Sequence, residues 1–193
     1  PDSPVKPAPA RAGNVTGGGD WAADRIVPDC IRALTAGQPI PVRNKIATRP
    51  WQHVLEPLSG YLWLGAALSG NAHTRFRHPP AQYASGFNFG PTLNSNRTVA
   101  DLVQEILKHW PGAWVDKSDP RAVHEASLLN LATDKAFHLL EWRPVWSFEE
   151  TIANTVAWYR HAASSVSESA SRTRDQIAAY IAAARSAGIV WAR

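Results

Sequence analysis

Methionine is absent from the 193 residues, and cysteine occurs once, at Cys30. A lone cysteine excludes an internal disulfide and the cysteine clusters of structural zinc sites, and it suits a reducing compartment. The cytoplasm is the expected location. Long apolar runs are missing as well. The longest, around Tyr61–Leu68, falls well short of the ~20 residues that span a bilayer, so no membrane segment is expected. Charge of one sign never accumulates: the net charge is +4, with lysines and arginines scattered along the chain. No run of five or more marks a nucleic-acid arm, and no nucleic-acid partner is expected. The opening PDSPVKPAPA lacks the apolar centre of a signal peptide and reads as a proline-rich, extended lead-in. With no methionine at residue 1 or anywhere else, the chain is expected to be a fragment or a processed form.

What is present suffices for one compact core, since 45% of the residues are hydrophobic. Residues 10–15 read as a short strand. Three glycines at 17–19 then turn the chain toward a helix expected over Asp24–Ala36, with Pro28 in its first turn and Gly37 closing it. Ile40–Arg43 and Thr48–Val54 read as extended pieces, the second because Pro50 keeps Arg49 out of helical angles. Leu55, Leu58, Leu62 and Ala66 recur at helical spacing and predict a helix ending near Gly70. Residues 70–85 read as a surface loop, and Phe87–Phe89 as a strand stopped by Gly90-Pro91. Thr98 with Asp101, and Ser147 with Glu150, are capping-box pairs. The first precedes the stripe Val99, Leu102, Val103, Ile106 and Leu107; the second precedes Phe148, Ile152, Val156 and Tyr159. Trp114-Val115 and Leu128–Leu131 are weaker strand candidates, and Asp134–Leu140 a short helix. A serine-rich link at 164–171 leads to a last helix near Thr173–Ser186, which would dock or hang free. Strands and helices mix without strict alternation, which gives an α/β or α+β class with a small sheet.

Chemistry is sparse. The glycines of GGGDW lack the spacing of a dinucleotide fingerprint and no P-loop lysine follows, so they read equally as a turn between strand and helix. The seven histidines show no one-turn pairing, so no metal site is expected. Cys30, four residues after Ile26, reads as a packed thiol, and G-x-S-x-G is absent. Most of the nine tryptophans read as packing, Trp110, Trp142 and Trp158 among them. Trp51 stands apart in ATRPWQHVLEP, where strand alternation puts Arg49, Trp51 and His53 on one face. An arginine fork there suits a pair of phosphate oxygens, or else covers an aromatic surface.

Three stretches taken together, RAGNVTGGGDWAADRIVPD at 11–29, VRNKIATRPWQHVLEPLSGYLWLG at 42–65 and FNFGP at 87–91, resemble the carboxyl-terminal half of the CDP-glucose 4,6-dehydratase family. That family lies within the extended short-chain dehydrogenase/reductases. HEASLLNLATDKA at 124–136 and LEWRPVWSFEETIANTVAWYR at 140–160 extend the resemblance over about residues 10–162. It implies a partial Rossmann-like α/β fold that holds the substrate-binding lobe without the NAD-binding half. The expected organisation is a lead-in at 1–9, the lobe with remnant Rossmann strands at 10–162, and a link with a terminal helix at 163–193. Asn14 and Arg49 match the family positions that contact the substrate's diphosphate. Arg25, His124 and Glu125 match positions on the nucleotide side of the cleft.

In that family NAD takes a hydride from the fourth carbon of the sugar, water leaves across the fifth and sixth carbons, and the hydride returns to the sixth. The product feeds O-antigen and other lipopolysaccharide sugars. The family's glycine fingerprint and Y-x-x-x-K pair do not occur in these residues: Tyr61, Tyr83, Tyr159 and Tyr180 are followed four positions later by Gly65, Phe87, Ala163 and Ala184. Thr16, Lys45 and Glu141 depart from the family's aliphatic residue, proline and glycine. The resemblance therefore implies a lyase parent that uses NAD, and a chain that alone binds a nucleotide-diphosphate sugar without catalytic, cofactor or metal residues of its own. A homo-oligomer or a separate amino-terminal half is the expected protein partner. The competing expectation is a non-catalytic module of that descent that binds a sugar nucleotide or a protein.

Overall fold

The computed structural model describes residues 6–70, 75–118, 129–162 and 166–193. The first strand candidate is two strands, β1 (Ala10–Ala12) and β2 (Asn14–Thr16), separated at Gly13 because each finds a different partner. After a tight turn comes helix α1 (Ile26–Thr35), followed by β3 (Ile40–Val42) and β4 (Thr48–His53). Helix α2 (Leu55–Ser69), a short helix α3 (Pro80–Tyr83) and strand β5 (Phe87–Phe89) come next. Strand β6 (Asn96–Thr98), helix α4 (Val99–His109) and strand β7 (Trp114–Asp116) follow. The described chain closes with α5 (Asp134–Leu140), α6 (Phe148–Ala162) and α7 (Val166–Ser186). Among the described residues the strands form three small sheets: β1 parallel to β5, β2 parallel to β4 with β6 antiparallel beyond it, and β3 parallel to β7.

The helices with written start signals begin where those signals fall. Thr98 Oγ1 accepts from the Asp101 N–H at 3.1 Å while Asp101 returns the bond to the Thr98 N–H at 3.0 Å, and α4 buries Leu102, Val103 and Ile106. Ser147 and Glu150 make the same reciprocal pair ahead of α6. Both arrangements satisfy N–H groups that a helix start leaves without partners. Helix α1 begins two residues later than its pattern suggests. Asp24 has a left-handed backbone (φ 62°) and Arg25 an extended one, so the first turn opens at Ile26, and Pro28 still lies within it.

Two apolar clusters carry the fold. One joins α1, β3, Trp51 of β4, α4 and α6 around Ile31, Ile40, Leu102, Ile106 and Ile152. The other joins α2, α3, β5, α5 and Trp142 around Trp63, Tyr83, Phe87 and Phe89.

Four further expectations need correction. On α2, Leu58 and Leu62 face outward, Leu62 at 77% exposure, and the buried side is Glu56, Gly60, Trp63, Leu64 and Ala67. The helix is apolar nearly all round, so spacing alone does not choose its inner face. The 70–85 stretch is not merely surface loop, because Tyr83 is wholly buried and closes the second cluster. Residues 129–131 form no strand; the Leu128 end of that candidate lies outside the described residues. Residues 166–171 are already helical in α7, which docks along α6: Gln176 Nε2 donates to the Asn154 carbonyl at 2.6 Å. None of the described helices is long and apolar enough to cross a membrane.

Candidate functional site

A cleft of about 780 Å³ opens where β2 and the Arg49–Trp51 part of β4 meet the amino end of α1. Parallel pairing of β2 with β4 sets Asn14 opposite Trp51, and Arg49 lies two positions before Trp51 on the same strand face. Asn14, Arg25, Arg49 and Trp51 all line the cleft, so residues from three separate stretches of the sequence converge on one cavity. Trp51 is buried and donates its indole N–H to the Arg97 carbonyl at 3.0 Å. Half-buried Arg49 donates through Nη1 to the Thr48 carbonyl at 2.9 Å. His53, on the same alternation, lies deeper in the interior and packs edge-on against Trp146. His124 and Glu125 lie outside the described residues.

The turn at 17–24 forms the cleft's outer wall and is pinned at several points. Tyr159 donates its hydroxyl proton to the Asp20 carbonyl at 2.6 Å, and Trp21 packs edge-on against the same ring. Arg32 donates to the carbonyls of Trp21 and Ala22. The Asp20 carboxylate accepts from the Ala22 N–H at 3.0 Å and from Arg25 Nη1 at 3.1 Å.

The triple glycine does not form an open phosphate cradle. A Cβ on Gly18 would fall 1.9 Å from the Trp158 ring, and one on Gly17 would fall 2.8 Å from the Val54 side chain. The close approach that glycine permits is filled by tryptophan and valine, so these residues do not fit a dinucleotide pyrophosphate. Among the described residues no group of three or more His, Cys, Asp or Glu side chains is placed to hold a metal ion.

Electrostatically the lining is balanced: Arg25, Arg43 and Arg49 face Asp20, Asp24 and Asp29. Sequence reasoning singled out the first and last of these arginines and missed Arg43 and the three aspartates. Arg43 stands in the VRN tripeptide that opens the second resembling stretch, but a charged residue in a loop carries no sign of what it faces. Tyr159 was expected only as a packing residue. Its hydroxyl lies at the cleft, where burial first and the Asp20 carboxylate second push it up to about 12. It is therefore a proton donor at neutral pH and not a ready base.

No protein-family model matches the chain. Over 155 residues, 79% of its length, it is 39% identical to the CDP-glucose 4,6-dehydratase of Salmonella typhimurium, of which it spans 41%. The dTDP-glucose 4,6-dehydratase of Bacillus anthracis, solved in complex with NAD, superposes on 80% of the chain with a TM-score of 0.61 at 18% identity, the match covering 45% of that enzyme. The UDP-glucuronic acid 4-epimerase of Bacillus cereus, solved with UDP-glucuronic acid and NAD, gives a TM-score of 0.62 at 13% identity over 78% of this chain and 44% of that one. The dTDP-glucose 4,6-dehydratase of Streptomyces venezuelae gives 0.62 at 19% identity over 82% and 45%. The chain thus spans less than half the length of these proteins. Its fold is a partial one of the extended short-chain dehydrogenase/reductase type, and its sequence is similar to CDP-glucose 4,6-dehydratase.

Proposed function

We propose that these residues form the substrate-binding, carboxyl-terminal part of an NAD-dependent CDP-glucose 4,6-dehydratase, and that the cleft takes the diphosphate of the nucleotide sugar. The observation that carries this reading is the convergence of Asn14, Arg25 and Arg49 with the amino end of α1 on one cavity. Each supplies what a diphosphate needs. A guanidinium fork matches two phosphate oxygens, an amide adds a neutral donor, and the first turn of a helix adds unpartnered N–H groups with a favourable field. Holding the charged linker fixes the sugar for chemistry performed elsewhere. Similarity to the Salmonella dehydratase supports the choice of CDP-glucose.

Hydride removal and return belong to NAD and to a tyrosine–lysine pair, and the 193 residues contain no Y-x-x-x-K. Supply of deoxysugars for O-antigen lipopolysaccharide in the cytoplasm is the proposed setting. The test is calorimetric titration of the chain with CDP-glucose, with dTDP-glucose and, separately, with NAD. Binding of CDP-glucose that Arg49→Ala weakens by about tenfold or more is expected, because hydrogen bonds to a charged group contribute ~1.5–3 kcal/mol. Wild-type affinity in Arg49→Ala would remove the diphosphate assignment, and measurable NAD affinity would contradict the division of labour.

A further inference from the structure

Resting on that reading of the cleft, the geometry points to a third diphosphate-binding arginine, Arg43, held away from the ligand by an ion pair with Asp24 that the ligand must displace. Both residues line the cleft, Arg43 in the turn after β3 and Asp24 just before α1. Arg43 Nη1 lies 2.8 Å from Asp24 Oδ1, and Nη2 lies 3.6 Å from Asp29 Oδ2. The pair therefore links two segments 19 positions apart across the cleft.

The lining aspartates already hold arginines. Asp20, Asp24 and Asp29 are ion-paired with Arg25, Arg43 and Arg32, so a dianion gains Arg43 only by displacing a carboxylate. The most weakly held aspartate is the one to give way. Asp20 is tied to the Ala22 N–H as well as to Arg25, and Asp29 is bonded to Arg32 on its own helix as well as approached by Arg43. Asp24 has Arg43 as its one side-chain partner among the described residues, and it is the most exposed of the three. With both partners more than half exposed, their pairing is the weak kind that a well-placed dianion outcompetes. Arg43 then turns its fork from carboxylate to diphosphate, and Asp24 returns to water. Asp24 acts as a competitor that makes entry depend on a ligand carrying at least two negative charges, which discriminates against free sugars and singly charged anions.

Removing the competitor should tighten binding, and removing the arginine should weaken it. Titrations of wild type, Asp24→Asn, Asp24→Gly, Arg43→Ala and the double variant Asp24→Asn/Arg43→Ala with CDP-glucose and with inorganic pyrophosphate test this. Glycine accepts the left-handed backbone at position 24 and keeps the test valid should asparagine disturb the turn. Both position-24 variants are expected to bind each ligand about two- to fivefold more tightly, as loss of an exposed ion pair permits. Arg43→Ala should bind several-fold more weakly, and the double variant should gain nothing over it. An unchanged or weaker affinity in both position-24 variants overturns the inference. So does an equal gain in the Arg43→Ala background. Pyrophosphate binding that follows the expected pattern without any CDP-glucose binding keeps the ion-pair inference and sinks the nucleotide-sugar reading. CDP-glucose binding that needs Arg49 but ignores positions 24 and 43 does the reverse, and binding of neither ligand to any variant sinks both.

Discussion

The buried carboxylate of Glu56 on α2 accepts the hydroxyl proton of Tyr180 on α7 at 2.8 Å. The same carboxylate accepts the Trp146 N–H at 2.7 Å and the Val145 N–H at 3.0 Å. One acid thus ties the start of α2 to the segment before α6 and to the docked terminal helix. Burial pushes its pKa up to about 7 despite those three donors, with the Glu150 charge adding slightly. Close by, burial pulls His53 down to about 4, and its Nδ1 accepts the Leu55 N–H at 3.3 Å.

The two groups give opposite pH dependences over nearly the same window. The folded chain keeps the Glu56 proton up to about pH 7 while an unfolded chain releases it near 4.5, so this group lowers stability as pH rises through that interval. The unfolded chain takes up the His53 proton near 6.5 and the folded one only near 4, so this group raises stability as pH rises from 4 to 6.5. Each is worth on the order of 3 kcal/mol across its window. Urea melts of the wild type from pH 4 to 7 should therefore show these two contributions largely cancelling. Glu56→Gln should become more stable with rising pH, and His53→Gln less stable. A Glu56→Gln profile that parallels the wild type would refute the assignment.

Tyr180→Phe is expected to cost about 1–2 kcal/mol and Glu56→Ala about 3 kcal/mol or more, since the latter leaves buried N–H groups of residues 145 and 146 without an acceptor. Thermal melts at neutral pH check both, and equal losses would mean that the backbone bonds contribute nothing.

Gly60 sits inside α2, where alanine ordinarily adds about 1 kcal/mol. Here a Cβ would fall 2.2 Å from the Phe89 ring, which is itself packed edge-on against Tyr61 and Trp142. Gly60→Ala should accordingly destabilise by about 1–3 kcal/mol, with Phe89→Leu restoring part of the loss in the double variant. A stabilised single variant would show the ring yielding freely.

Cys30 is fully buried, and desolvation pushes its thiol up to about 12. Reaction with a thiol reagent at pH 8 should be negligible in buffer and complete in denaturant, since the thiolate is the reactive form. Fast native labelling would mean that α1 opens readily.

For the cleft, Arg49→Lys distinguishes charge from shape. A lysine keeps the charge but loses the planar fork, so CDP-glucose affinity should fall about as far as in Arg49→Ala if two-pronged contact matters. Near-wild-type binding of Arg49→Lys would assign the residue a purely electrostatic part.

Much of this molecule is written locally. The capping pairs Thr98–Asp101 and Ser147–Glu150 fix α4 and α6 because their bonds close within one turn. Arg49 is legible because proline holds its strand extended. Other features depend on neighbours far along the chain. The sequence of α2 offers apolar residues on every side, and only Phe89 and Tyr83 from other elements select Gly60, Trp63 and Leu64 over Leu58 and Leu62. Glu56 reads as an ordinary charge in a first helical turn until Tyr180 and Trp146 close over it. By itself, then, the sequence determines where α4 and α6 begin, that the chain is extended around Pro50 and which residue types the cleft can use, because these rest on bonds and angles a few residues long. The inner face of α2, the burial of Glu56 and the pairing of Arg43 with Asp24 were decided by the tertiary structure, since each is a balance of desolvation and contact between segments that only the folded chain brings together.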